Sequence, residues 1–162
     1  MLELIAEALV FIFPAYSANA VPVVFGGGHP LDFGKTLKDG KPIFGSHKTF
    51  KGFFAGLIVG TLVAVGESFI FNYDILLGFA LSFGALLGDL IGAFFKRRLG
   101  FAPGAFFPII DQIDFVLGAL LFSLLISPPT PVISIIILII TIPIHILTNL
   151  IAYLANVKKK PW

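Results

Sequence analysis

Residues 75–98, ILLGFALSFGALLGDLIGAFFKRR, decide the fold of this chain. The stretch is long and apolar enough to form a helix that crosses a bilayer, which requires about 20 mostly apolar residues. Its only acidic residue is Asp89, and it ends on the basic run at 96–98. We therefore predict a transmembrane helix over about 75–95, with its basic end at a membrane surface.

The composition extends this prediction to the whole chain. Of its 162 residues, 57% are apolar and only 12% are charged, and the mean hydropathy is +1.01. These values lie well outside the range of soluble domains. The chain has no cysteine, which excludes disulfides and thiolate metal sites. We predict an all-α integral membrane protein, a single domain over 1–162, with five transmembrane helices at about 2–24, 53–71, 75–95, 105–126 and 132–154.

Charge placement predicts the orientation of these helices. All eleven lysines and arginines lie within residues 35–51, 96–98 and 158–160, which are alternate gaps between the predicted helices. Under the positive-inside rule these gaps are cytoplasmic. We therefore expect the N-terminus outside, the C-terminus in the cytoplasm, and a cytoplasmic loop over 26–52. A cleaved signal peptide is a poor explanation of the first segment, because Glu3 and Glu7 stand where a basic region is expected.

The cytoplasmic loop carries a second concentration of basic residues. Gly34-Lys35-Thr36 has the wrong glycine spacing for a nucleotide-binding P-loop. Lys48, Thr49 and Lys51 lie just before the second predicted helix, where free backbone N–H groups and the helix dipole favour an anion. Two explanations stay open at this point. These residues form a phosphate site, or the lysines hold the loop against anionic lipid headgroups.

Three carboxylates lie at similar depths on the third and fourth predicted helices. Asp89 lies seven residues before Lys96, which is about 10 Å from the basic end at 1.5 Å per residue. Asp111 lies seven residues past the Pro103-Gly104 turn, so it returns to a similar depth on an antiparallel neighbour. Asp114 lies on the same face as Asp111, one turn deeper. We therefore expect these carboxylates to lie close together.

Such carboxylates need compensation inside a membrane. Each isolated one costs about 2.5–3.5 kcal/mol on insertion scales. Mg²⁺ would supply positive charge and prefers oxygen ligands. The alternative is that each aspartate pairs with Lys96, Arg97, Arg98 or a hydroxyl of a neighbouring helix. Carboxylates for a metal beside fixed cations favour phosphoryl or nucleotidyl transfer, whose substrates are polyanions.

Residues 88–114 resemble a known family. They contain GDL, KRR, PG and DQID in that order. The series resembles the signature of the membrane CTP:phosphatidate cytidylyltransferases. Gln112 between the aspartates, and Ala93 where that family has serine, are departures that resemble the archaeal branch, the CDP-archaeol synthases. LDFG at 31–34, DG at 39–40 and HKT at 47–49 are also similar to that branch, so the resemblance covers nearly the whole chain.

The resemblance implies a reaction, its partners and a set of site residues. It implies a cytidylyltransferase of the cell membrane, with its site facing the cytoplasm, that uses Mg²⁺. The substrates would be CTP and an archaeal isoprenoid ether-lipid phosphate, a geranylgeranylated glycerol phosphate, and the products CDP-archaeol and pyrophosphate. We expect no nucleic-acid partner. By position, the implied metal ligands are Asp89, Asp111 and Asp114. The implied catalytic residues are Asp89, Asp111, Lys96 and Arg97. The implied substrate-binding residues are Asn19, Asp32, Lys48, Thr49, Lys51 and Asp114.

Two other classes of membrane protein share single features with this sequence. CDP-alcohol phosphotransferases need Ala-Arg soon after an Asp-Gly pair, and Asp39-Gly40 lacks it. A transporter or channel also carries buried aspartates and stays the alternative. It should have polar groups across the full membrane depth, whereas the outer halves of helices 2 and 4 have almost none. Glu67 and His145 are exceptions to this scarcity of polar groups. We interpret His145 as a polar residue that serves helix packing.

Overall fold

The fold is all-helical, as the hydropathy pattern predicts. The computed structural model describes residues 1–158 and 160, and within these it contains five helices. They are α1 (Leu2–Phe25), α2 (Phe50–Phe71), α3 (Ile75–Arg98), α4 (Ile110–Ser123) and α5 (Pro131–Leu154). Among them, α1, α2, α3 and α5 are long and apolar enough to cross a membrane. The segment between α1 and α2, residues 26–49, is called the cap loop below.

The fourth helix is shorter than predicted. It covers Ile110–Ser123, 14 residues instead of the expected 105–126, and spans about 21 Å against a hydrocarbon thickness of about 30 Å. Pro108 has no N–H to donate, and Ile109 has a φ of +69°, outside the helical region. The Asp111 carboxylate accepts a hydrogen bond from the Phe107 N–H at 2.9 Å and holds this segment in turns. Hydropathy alone cannot distinguish such apolar turns from helix.

The second helix begins earlier than predicted, at Phe50 instead of residue 53. Thr49 is its N-cap, and the Thr49 hydroxyl accepts a hydrogen bond from the Gly52 N–H at 3.1 Å. Asp74 caps α3 in the same way, accepting from the Leu76 N–H at 2.8 Å. Thr130 caps α5, with Pro131 as the first helical residue. Polar caps therefore fix where three of the helices start.

Small residues let the helices approach closely. The contact between α3 and α4 is the most extensive in the bundle, and α1 packs on α2 and α3. A side chain at Gly84 would clash with the Gly118 backbone, and one at Gly56 would clash with the Ala18 carbonyl. These glycines therefore serve close helix packing. Between the helices lies a buried cluster that includes Ile12, Leu81 and Val116.

The cap loop is an ordered structure held by its own backbone. Its two ends meet where the Leu31 N–H donates to the Lys48 carbonyl at 2.8 Å. Inside the loop, the Asp32 carboxylate accepts hydrogen bonds from the N–H groups of Gly34, Phe44 and Gly45 at 2.9–3.0 Å. Burial favours the neutral acid, but these bonds outweigh it and keep the pKa of Asp32 below its usual value. An ionised Asp32 thus organises the loop.

Candidate active site

The first charged pair of the site joins the cap loop to α3. The Lys48 ammonium lies 2.5–2.6 Å from both carboxylate oxygens of Asp89. Lys48 is placed by the loop closure one residue before the Thr49 cap, and Asp89 faces it from the second half of α3. Both side chains are about one quarter exposed. The pair adjoins a cavity of about 40 Å³ lined also by Pro22 and His47.

A second pair joins α3 to α4. The Lys96 ammonium lies 2.8 Å from both carboxylate oxygens of Asp111, and Lys96 as a whole is only 8% exposed. Because the Phe107 N–H also donates to Asp111, the carboxylate sits at the junction of the α3–α4 turn and the start of α4. Asp111 thus has the lysine partner that the sequence offered as the alternative to a metal ion, whereas the partner of Asp89 is Lys48 of the cap loop, which was not predicted.

The third aspartate lies deeper and has a different environment. Asp114 packs against α3 where Gly88 and Gly92 leave room, and a methyl group on Gly92 would overlap the Asp114 carboxylate. The charges of Asp89, Asp111 and Lys48 all act on Asp114. Among the residues that the structure describes, no cation forms a salt bridge with it. Asp114 therefore lies within electrostatic range of both paired aspartates.

Arg97 supplies an unpaired cation at the same end of the bundle. It is 3% exposed, and its Nε and Nη1 atoms are buried with no hydrogen-bond partner in the described chain. A buried guanidinium without partners is costly, and a bound anion would satisfy its N–H groups. Arg97 lines a cavity of about 210 Å³ formed by residues 40–42 of the cap loop and the turn at 100–103.

Arg98 fastens the cap loop over this end of α3. Its Nη1 donates to both carboxylate oxygens of Asp39 at 2.7–2.8 Å, and its Nη2 donates to the carbonyl groups of Lys41 and Pro42. In return, the Lys41 ammonium donates to the Arg98 carbonyl at 3.0 Å. This clamp positions one wall of the Arg97 cavity. Asp39-Gly40 was noted in the sequence only as a motif, and its contact with Arg98 was not predicted.

The remaining predicted substrate-binding residues divide by position. Asn19 is half-buried on α1, one turn before Pro22, which lines the small cavity beside Lys48. Thr49 is 4% exposed and caps α2, and Asp32 holds the cap loop. Lys51 is exposed in the first turn of α2. Roles for these four residues in substrate binding stay predictions.

The donor chemistry of the aspartates can be compared with the needs of Mg²⁺. Carboxylate oxygens are ligands that this ion prefers. In residues 1–158 and 160, no three side chains of metal-ligating type converge into a ready-made site. Lysines instead neutralise Asp89 and Asp111, so these carboxylates do require positive charge beside them. The donor set therefore suits a divalent cation in type.

A polar chain on α5 was not predicted as part of the site. The Lys158 ammonium donates to the Asn149 side-chain oxygen at 2.8 Å, and the Asn149 amide lies 3.1 Å from Nδ1 of His145. The His145 ring packs against Phe115, next to Asp114 in α4. The i, i+4 spacing of His145 and Asn149 in an apolar helix was the available signal.

Apolar helices that enclose paired carboxylates and lysines under a basic loop define a helical membrane protein whose buried charges gather at one end of the bundle. The comparisons with known proteins specify the family. The family model described as CarS-like CDP-archaeol synthase matches residues 1–162. This chain belongs to that family, which confirms the resemblance seen in the sequence motifs.

Individual relatives are similar to this chain over nearly their full length. The chain is 43% identical over 176 residues to the CDP-archaeol synthase of Methanococcus aeolicus, covering 100% of this chain and 99% of the relative. It is 46% identical over 164 residues to that of Pyrococcus furiosus, covering 98% of both. A solved structure of an intramembrane enzyme for archaeal membrane lipids biosynthesis superposes with a TM-score of 0.85 at 37% identity, covering 90% of this chain and 94% of that one. The chain is therefore a membrane protein of archaeal lipid biosynthesis.

Proposed function

We propose that the protein transfers the cytidylyl group of CTP to an archaeal isoprenoid ether-lipid phosphate, the geranylgeranylated glycerol phosphate. The products are CDP-archaeol and pyrophosphate, in the synthesis of membrane phospholipids. Membership of the CDP-archaeol synthase family supports the reaction. The observation that carries the assignment to these residues is that α3 holds one member of each of the Lys48–Asp89 and Lys96–Asp111 pairs and also the buried Arg97, whose Nε and Nη1 have no hydrogen-bond partner among the described residues.

The reaction is an in-line displacement at the α-phosphorus of CTP. A terminal oxygen of the lipid phosphate forms the new bond to this phosphorus, the bond to the β-phosphate oxygen breaks, and pyrophosphate leaves. A phosphate monoester has a second pKa of about 6, so the nucleophile is largely dianionic at neutral pH. No side-chain base is required. The protein must instead neutralise the repulsion between two polyanions and align them.

Each residue of the site has a part in that task. The guanidinium of Arg97 and the ammonium of Lys96 bind phosphate oxygens and stabilise charge on the departing pyrophosphate. Lys48, which bridges the cap loop and α3, can turn from Asp89 to a phosphate. The Arg97 cavity of about 210 Å³ would receive phosphate groups of the nucleotide under the cap loop.

Mg²⁺ is the cofactor that the carboxylates favour, with Asp89, Asp111 and Asp114 as its ligands. When bound, it would neutralise phosphate oxygens and polarise the α-phosphorus. A direct measurement is the EPR signal of Mn²⁺ added to the purified protein, where loss of the bound signal in Asp89→Asn and Asp111→Asn is the expected result. Unchanged Mn²⁺ binding in both variants would contradict this ligand set.

We infer that the chain crosses the membrane five times, with the N-terminus outside and the site facing the cytoplasm. The alternation of basic gaps supports this orientation. Because α4 itself spans only about 21 Å, its crossing would include the apolar turns at 105–109 and 124–126. The lipid chains then stay in hydrocarbon while the lipid phosphate meets CTP at the cap loop.

The test is a transfer assay with purified protein, Mg²⁺ and CTP labelled at the α-phosphate. Acceptors are the archaeal ether-lipid phosphate and, in parallel, a diacyl phosphatidate. We expect label in the lipid extract, more of it with the ether lipid, and none when the metal is chelated. Label that stays in the aqueous phase with both lipids would contradict the proposal and favour the transporter alternative.

A further inference from the structure

The chain turns back on itself after α5. The Val157 N–H donates to the Ala152 carbonyl at 2.9 Å, and the Asn156 N–H donates to the Tyr153 carbonyl at 3.0 Å. Asn156 has a φ of +59°. This pair of bonds with a left-handed residue between helix and tail is a Schellman motif, which ends a helix and reverses the chain. The reversal directs Lys158 back along α5 instead of away from the membrane.

A hydrogen-bond chain then holds the Lys158 side chain. Its ammonium lies 2.8 Å from the Asn149 side-chain oxygen, nine residues earlier, and Asn149 is bonded in turn to His145. A lysine that only anchored the tail would keep its charge in water or among headgroups. Fixing this flexible side chain costs conformational entropy. The structure nevertheless holds the ammonium half-buried.

The hydrogen-bond chain from Lys158 through Asn149 to His145 leads toward the site described above. The charges of Asp111 and Lys48 both act on Lys158, and the His145 end of the chain packs against Phe115 with ring centroids 6.0 Å apart. Burial lowers the pKa of Lys158, Asp111 opposes that effect, and Lys48 adds to it. Lys158 is thus a further cation within electrostatic range of Asp111, and Asn149 of α5 holds it there.

We propose that Lys158 binds a substrate phosphate in this site and that Asn149 positions its ammonium. The inference rests on the proposed function. An ammonium has three N–H donors, and within the described residues Asn149 takes one. A phosphate bound in the site would satisfy the others. Both substrates carry phosphate, and the two arms of the following test distinguish nucleotide from lipid.

The variants are Lys158→Ala and Lys158→Arg, with Lys160→Ala as the control for loss of tail charge. KM is measured for CTP at saturating lipid and for the lipid phosphate at saturating CTP. We expect Lys158→Ala to raise one KM by about 10-fold or more, because a charge-assisted bond is lost. A rise for CTP identifies the nucleotide phosphates as the ligand, and a rise for lipid identifies the lipid phosphate. Lys158→Arg should recover part of the loss.

Asn149→Leu tests the positioning role. The same KM should rise by a smaller factor, and the double variant with Lys158→Ala should be no worse than Lys158→Ala alone, because both act through one ammonium. The melting temperature in detergent shows whether each variant is folded. Equal KM values for folded Lys158→Ala and wild type, or equal losses in Lys160→Ala, would overturn the proposal. A wild-type protein without transfer activity would instead contradict the proposed function.

Discussion

Replacing Gly92 with alanine should disable the site while leaving the bundle folded. A Cβ at this position would overlap Asp114 Oδ2, at 2.0 Å against an ordinary contact of at least 3.4 Å, so the carboxylate oxygen must move by about 1.4 Å. Displacements of this order at a catalytic group can cost on the order of 10²-fold in rate. We expect kcat/KM to fall by about 10-fold to 100-fold. The labelled-CTP transfer assay measures this directly.

Two other glycines provide matched controls for Gly92→Ala. At Gly88, an added Cβ meets the Asp114 backbone and Gly118 Cα, so alanine there forces α3 and α4 apart and should cost about 1–3 kcal/mol of stability. At Gly66, nothing lies within 4 Å of the added atom, and alanine should change neither property. Wild-type kcat/KM in a folded Gly92→Ala protein would refute the placement of Asp114 in the site.

Three further predictions concern the cap loop and the membrane topology. Arg98→Ala removes the hydrogen bonds to Asp39 and to the loop carbonyls. The rate of protease cleavage within 26–49 and the KM for CTP should therefore each rise by about 10-fold. Unchanged values would show that the contacts of Arg98 with the cap loop are dispensable. Because the pKa of Asp32 is held low, its stabilisation of the loop is present above the ordinary carboxyl pKa, about 3.9, and is lost as pH falls through the lower folded value. Cleavage of the wild-type loop should therefore increase on acidification, whereas Asp32→Asn should already be cleaved at neutral pH. Since the chain lacks cysteine, Ser46→Cys and Ser127→Cys can be labelled singly with an impermeant maleimide. Only Ser46→Cys should react from the cytoplasmic side, and the reverse pattern would invert the topology.

Hydropathy and charge placement in the sequence predict most of the helical architecture. The four long helices follow from apolar stretches that have no other stable state in a bilayer. The expectation that Asp111 returns to the depth of Asp89 stays a prediction, because Asp111 bonds to Lys96, seven residues past Asp89, and it is Asp114 that packs against Gly88 and Gly92. The bounds of α4 were wrong because Ala105–Ile109 is as apolar as a helix, and only backbone geometry at Pro108 and Ile109 stops it.

The partners of charged groups were harder to predict from the sequence. Lys48 and Asp89 are 41 residues apart, and their contact depends on how the cap loop closes and how α2 packs beside α3. Lys158 was counted only as a cytoplasmic charge, because its return to Asn149 needs the backbone reversal at Asn156. Such contacts arise from tertiary packing, which periodicity does not encode.

The turnover of Asp111→Asn tests the central claim most directly. Asparagine keeps an oxygen that can accept the Phe107 N–H bond, but it removes the charge that faces Lys96. With its melting temperature in detergent matched to that of the wild type, we predict that cytidylyl transfer by Asp111→Asn falls by at least about 10³-fold. Substantial transfer by folded Asp111→Asn would contradict the assignment of the reaction to these carboxylates.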